Sequence, residues 1–273
     1  MVDFPFDENI ANNSDLLMSV GTHSFSYAIV NNEGSRLKAM FNIQTPTNHA
    51  SDFDRLLQTE PLLNLSYRQV KIKLQTQNFT FIPNELYDEE QLTYYARIID
   101  PKVGDTLIVS SIKAVGCRNV FAIKSDQYNW FNKHFTDVKF FSQADSLLQA
   151  ILIQYSLSNT SGLFINVLSD QCIEIVILLN GQLHFYNIFL VENIEEMQYF
   201  VLATCRQMNV NPENMTLNFL GSIEPHHSFC QSLLPYFEQT QIISTVNFLD
   251  IPLTFATVPM QNFFSVLGLH LCA

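Results

Sequence analysis

The chain has 273 residues, 47% hydrophobic and 15% charged, enough apolar content to fill the cores of one large domain or two ordinary ones. Its net charge of -12 comes from 14 Lys and Arg against 26 Asp and Glu, with no basic block, which argues against a nucleic-acid partner. Five widely spaced cysteines without a CxxC pair suggest neither a disulfide framework nor a zinc ribbon, so buried reduced thiols are expected.

Residues 1–14 read as an N-terminal extension lacking the basic and apolar regions of a secretory signal. No apolar run reaches the ~18 residues of a membrane span, so the expectation is a cytoplasmic protein without direct membrane insertion. Over 15–30, Phe25, Tyr27 and Ile29 alternate with Ser24 and Ser26, and Asn31-Asn-Glu-Gly34 supplies hairpin chemistry before Leu37, Ala39, Phe41 and Ile43. A meander of up to three strands follows from this. Next come a helix over 50–63, a strand pair at 70–74 and 79–81 ending at Pro83, and a helix over 88–99 that opens on acids suited to its dipole. Strands at 106–114 and 119–123, a helix at 126–134, a strand at 138–142 and a helix at 143–157 complete the first half. The alternation indicates a mixed, partly parallel α/β sheet.

The second half repeats the opening. Strands at 163–168 and 172–179 meet Asn180-Gly181, a hairpin turn before Leu183–Leu190, and a helix over 192–208 leads to the strand 215–220 and a helix over 228–239. At a constant offset of 147 positions Val20 falls on Val167, Thr22 on Ser169, Ile29 on Val176 and Gly34 on Gly181. We read this as an internal duplication.

Two halves that each open with a meander and continue helix, strand, helix, strand resemble the actin-like superfold of actin, sugar kinases and heat-shock chaperones. The resemblance covers about residues 15–273 and implies a duplicated, ribonuclease-H-like α/β fold, with lobes at 15–158 and 159–273. "FTFIPNELYDEE" (79–90) and the closing "VPMQNFFSVLGLHL" (258–271) are similar to segments of the pilus-assembly and secretion-linked members, and of a bacterial family of this fold with eroded motifs. In the superfold, turns of the form Asp-x-Gly-[Thr/Ser] and Asp-x-Gly-Gly-[Gly/Thr]-Thr hold phosphate, and a later glycine pair holds adenosine. The corresponding places here read Ser19-Val-Gly-Thr-His23, Asn166-Val-Leu-Ser-Asp170 and Leu220-Gly-Ser-Ile-Glu224. The degenerate nucleotide-site positions are therefore Ser19, Gly21, Thr22, Asn166, Ser169 and Gly221.

Ser19 and Asn166 stand where the resemblance implies acids that manage Mg²⁺ and the attacking water. A hydroxyl and a neutral amide supply neither charge nor base. Only eight glycines are present, no two within ten positions of each other, so a glycine-rich cradle or adenosine pair has no place in the chain. His23 and Asp170 correspond under the repeat and suggest a His–carboxylate pair; the plainer reading is two unrelated surface residues. Glu224-Pro-His-His-Ser-Phe-Cys230 is the densest cluster of ligand types, yet adjacent histidines point apart and no second spaced pair exists, so no metal is assigned. Among the aromatics, 23 Phe and 10 Tyr against one Trp, the groups Tyr94-Tyr95, Tyr128 with Trp130-Phe131, and Phe140-Phe141 are candidates for an exposed patch. The expected function is a non-catalytic pseudo-ATPase that binds a protein partner or small ligand in or near an interlobe cleft, without cofactor or catalytic residue. Its rivals are a divergent ATP-binding hydrolase or kinase using Mg-ATP, and a self-assembling structural subunit or homo-oligomer.

Overall fold

The computed structural model describes residues 1–3, 5–22, 24–44, 50–155, 160–169 and 171–273. The chain divides into two compact units: Met1–Ala150 with Asn247–Val258 and Ser265–Ala273, and Ile151–Val246 with Pro259–Phe264.

The first unit contains, in order, α1 (Glu8–Asn12), β1 (Ser14–Val20), β2 (Ser24–Asn31), β3 (Arg36–Gln44), α2 (Ala50–Thr59), β4 (Gln69–Leu74), β5 (Phe79–Pro83) and α3 (Leu92–Ile99). β6 (Asp105–Ile112), β7 (Cys117–Lys124), α4 (Ser125–His134), β8 (Val138–Ser142) and the start of α5 (Gln143–Tyr155) follow. Its main sheet has the order β3-β2-β1-β4-β8, with the meander antiparallel and β1, β4 and β8 parallel. Alternation places Leu16, Met18 and Val20 of β1 and Val70, Ile72 and Leu74 of β4 on one face, buried with Phe53 and Leu56 of α2 and Trp130 and Phe131 of α4. Those aromatics, with Tyr95, Phe140 and Phe141, are core; of the groups proposed for the surface, Tyr94 is the exposed member, at 59%.

The second unit contains the end of α5, then β9 (Gly162–Ser169), β10 (Cys172–Leu179), β11 (Gln182–Leu190), α6 (Ile194–Gln207), β12 (Thr216–Gly221), α7 (Ser228–Leu233) and β13 (Gln239–Ile242). Its sheet order, β11-β10-β9-β12-β13, repeats that of the first unit with the same strand directions. The repeat extends to register. Leu16 pairs with Val70 and Leu163 with Leu217, the same separation in sequence. The outer hairpins both slip register near their turns, between Ile29 and Val30 and between Ile177 and Leu178, and both turns contain a glycine at φ 75°. Leu163, Ile165 and Val167 of β9 bury against Val201 and Cys205 of α6 and Phe229 and Leu233 of α7.

Several elements differ from the sequence expectation. β5 does not pair with β4; it joins β7 and β6 in a separate antiparallel sheet of order β5-β7-β6, covered by Tyr95 and Ile99 of α3. The chain leaves the main sheet at Thr76, whose N–H donates to Gln143 Oε1 (2.9 Å) and whose carbonyl accepts from Gln143 Nε2 (2.7 Å). Prolines shorten two predicted helices: Pro61 lies just past α2, and Pro235 diverts the chain after α7 into a single tight turn and then β13, which alternation did not reveal. The closing segment is a series of short turns around α8 (Phe264–Leu267), with Gly268 seated so close to α5 that a Cβ there would lie 2.3 Å from the Ser146 carbonyl oxygen.

The three-stranded sheet is tied to α5 by a buried polar cluster. Asp145 in the first turn of α5 accepts from the Ser142 N–H (2.6 Å), Ser110 Oγ (2.8 Å) and Asn119 Nδ2 (3.0 Å). The bond to Ser142 satisfies an amide at the helix start, where a carboxylate also meets the helix dipole favourably. All five cysteines are free and buried, and burial raises the Cys117, Cys205 and Cys230 thiols to about 11. Among the described residues no helix is long and apolar enough to cross a membrane.

Candidate functional site

The polar residues inside otherwise apolar strands fall on the second face of each sheet. In the first unit Ser19 sits near the end of β1, level with Ser26 of β2 on one side and Lys73 of β4 on the other. Lys73 is buried, and its Nζ donates to Ser265 Oγ at 2.8 Å. Two positions earlier on β4, Lys71 donates to the carbonyls of Cys272 and His270, and burial holds its ammonium below the ordinary lysine value against the opposing pull of Asp15. The closing residues of the chain therefore supply acceptors to both lysines, and a buried lysine holds the strand position beside Ser19.

Gly21 and Thr22 form the turn after β1. The Gly21 N–H donates to the Ser24 carbonyl at 2.9 Å and its φ lies outside the left-handed region. That amide closes the hairpin and is not directed outward. Thr22 is exposed. His23 and Asp170 lie outside the described residues.

In the second unit Asn166 is level with Glu174 of β10, and its Nδ2 donates to Glu174 Oε2 at 2.6 Å. Tyr186 of β11 donates its hydroxyl to Glu174 Oε1, also at 2.6 Å. Glu174 is completely buried, and each of its carboxyl oxygens accepts a short bond. Register makes Glu174 the counterpart of Ser26, as Asn166 is of Ser19. Glu174 was absent from the sequence expectation, although an acid within Cys-Ile-Glu-Ile-Val-Ile is itself the signal: a charge in a doubly buried strand requires partners.

Gly221 at the end of β12 comes together with Asn166. Its φ is 80°, and a Cβ there would lie 2.2 Å from the Val167 carbonyl oxygen and 2.6 Å from Asn166 Oδ1. The glycine serves the close approach of two strands of the protein itself, sealed by the Ser222 N–H donating to Val167 O at 2.8 Å. Ser169 is exposed at the β9–β10 turn, where its Oγ accepts from the Gln171 N–H. In the Glu224–Cys230 stretch, His227 caps α7 by accepting from the Phe229 N–H, and Cys230 is buried with its thiol donating to the Glu224 carbonyl. Those groups thus have local structural partners. Among the described residues no three His, Cys, Asp or Glu side chains converge as a metal site.

The duplicated sheets identify the fold. The chain is similar to a crystal structure from Bacteroides thetaiotaomicron described as a protein with actin-like ATPase fold and unknown function, at TM-score 0.79 and 22% identity over 95% of this chain and 98% of that one. It is also similar to a chain of the PilM–PilN type IV pilus biogenesis complex, at TM-score 0.63 and 13% identity over 94% of this chain and 97% of that one. The fold is actin-like, as the two meanders imply. No curated protein matches the sequence. A family model described as "protein of unknown function (DUF3822)" matches residues 3–240, more than half of the chain, and the protein belongs to that family.

Proposed function

We propose that this protein is a non-catalytic member of the actin-like superfold, a pseudo-ATPase that works by binding a protein partner. The observation that carries the proposal is the state of the two turns where the superfold manages Mg²⁺ and nucleotide. At the first, the side chain is Ser19, its strand neighbour is the buried Lys73, and the Gly21 amide is directed at the protein's own Ser24 carbonyl. A divalent cation gains no carboxylate there, because a hydroxyl and a lysine side chain supply no anionic oxygen. At the second, Asn166 is bonded to Glu174, and both oxygens of that acid already accept short bonds. Opening Glu174 to a metal would break its bonds from Asn166 and Tyr186, at roughly 1–3 kcal/mol each. These residues do not fit a Mg-nucleotide.

A protein partner is supported by the likeness to a chain from the PilM–PilN complex, which is an assembly of two proteins. Thermal unfolding with and without Mg-ATP tests the loss of nucleotide handling. A ligand at 100 times its Kd stabilises a fold by about 2.7 kcal/mol. The expected result is an unchanged melting temperature at millimolar Mg-ATP. A saturable rise, or nucleotide turnover that tracks the protein through purification, overturns the proposal.

A further inference from the structure

We propose that the closing turn of the chain, Gly268–Leu271 with Cys272, is a pH-sensitive clasp on strand β4 that opens when His270 takes up a proton. The proposal stands apart from the loss of nucleotide handling.

The clasp is a single tight turn held to the sheet by few polar contacts. Lys71 of β4 donates to the His270 carbonyl at 3.4 Å and to the Cys272 carbonyl, and Leu269 and Cys272 are buried. No strand pairing runs through the turn, so it can leave β4 without disturbing the register of the main sheet. His270 is half-buried within it. One ring nitrogen, Nε2, shares a hydrogen bond with Ser35 Oγ at 3.1 Å, while the other, Nδ1, is buried and has no hydrogen-bond partner among the described residues. The neutral ring leaves one uncharged atom unpaired there. Protonation makes both nitrogens donors, so the buried Nδ1 becomes a charged donor without an acceptor, which costs more.

The surroundings do not compensate that charge. The groups facing the ring are Lys71 of β4, Asp15 of β1 and Arg68 just ahead of β4, and the acid among them already receives two bonds from Arg68, at 2.8 and 2.9 Å. Beside Ser35, Arg36 is paired with Asp250 at 2.9 Å. Burial, and then Lys71, holds the imidazole below its ordinary value of 6.5, against the pull of Asp15 and with a further push from Arg68. A base held below its free value binds a proton better once released, so the clasp is at full strength above pH 6.5 and weakens as pH falls below it. Asp145 of α5, which faces Cys272, acts in the opposite sense. Opening strips Lys71 of these two acceptors and uncovers that stretch of β4.

Cys272 supplies the readout, because its buried thiol is reached only when the clasp opens. The full chain and His270→Gln are labelled with dithiodipyridine at about pH 7.5 and about pH 5, and each of the five cysteines is followed by peptide mass. Dividing the parent's Cys272 rate by the variant's at the same pH cancels both thiolate titration and the effect of Asp145. That ratio is expected to rise about fivefold or more from the higher pH to the lower, while the ratios for Cys205 and Cys230 of the second unit stay constant. Should His270→Gln leave the clasp open at both pH values, amide exchange in the parent alone decides: corrected for the intrinsic rate, residues 268–273 should open more at the lower pH by a similar factor. A Cys272 ratio that does not change with pH, a rise shared by all five cysteines, or corrected exchange of 268–273 that is flat across the range overturns the proposal.

Discussion

Gly221→Ala is expected to destabilise the second unit by about 4 kcal/mol and to lower its melting temperature by roughly 20 °C. Two costs combine. A side chain at φ 80° carries the left-handed penalty, about 1–2 kcal/mol for an ordinary residue. The new Cβ would also lie 2.2 Å from the Val167 carbonyl oxygen and 2.8 Å from the Val167 nitrogen, backbone atoms fixed by the β9–β12 pairing, so relief requires the two parallel strands to separate. Gly34→Ala isolates the first cost: φ is 75° there and nothing lies within 4 Å, so about 1 kcal/mol is expected. Equilibrium denaturation of the two variants side by side gives the comparison. Equal losses would mean that the strand approach at Gly221 is not tight in solution.

Asp145 makes stability fall with rising pH in a defined window. Complete burial pushes its carboxyl up to about 6 from the ordinary 3.8, against the opposing pull of the Asn119, Ser110 and Ser142 donors. Between those values the folded protein retains a proton that the unfolded chain has released, so this group's contribution is fully present below pH 4, declines as pH rises towards 6 and is lost above it. The difference corresponds to about 3 kcal/mol. Asp145→Asn cannot titrate. Its own cost is expected to be about 2 kcal/mol, from donors left without an acceptor. In urea unfolding curves the parent's advantage of about 2 kcal/mol at pH 4 should therefore vanish at about pH 5.5 and become a deficit of about 1 kcal/mol above pH 6. Parallel pH profiles would show that the three donors outweigh burial and that the carboxylate is ionised throughout.

Much of the architecture is legible in the sequence because it is written in short-range periodicity. The alternation Phe25-Tyr27-Ile29, the turn at Gly34 and their echoes near Gly181 suffice for two meanders, and two meanders suffice for the actin-like fold. What stayed hidden depends on distant partners. Nothing near Phe79 says that its strand pairs with β7, because the break comes from Gln143 holding the Thr76 backbone 67 residues away. β13 begins only at the last residue of the expected helix 228–239 and follows the break that Pro235 makes. The site positions were readable as residue types: Ser19 and Asn166 are where the hairpins place them. Their surroundings were not. Lys71 and Lys73 betray a polar second face through the spacing Lys-Ile-Lys, but their acceptors lie at Ser265, His270 and Cys272, and sequence spacing carries no information about a contact some 190 positions long.

That last pairing has a consequence for biogenesis. Residues Ser265–Ala273 belong to the same unit as Met1–Ala150, so the ribosome releases the acceptors for Lys71 and Lys73 only after all of β9 to β13 has been made. A domain-by-domain order in which the N-terminal part is finished first is closed to this protein. Its earliest sheet must wait for the carbonyl and hydroxyl partners of these two lysines until the later strands have been made.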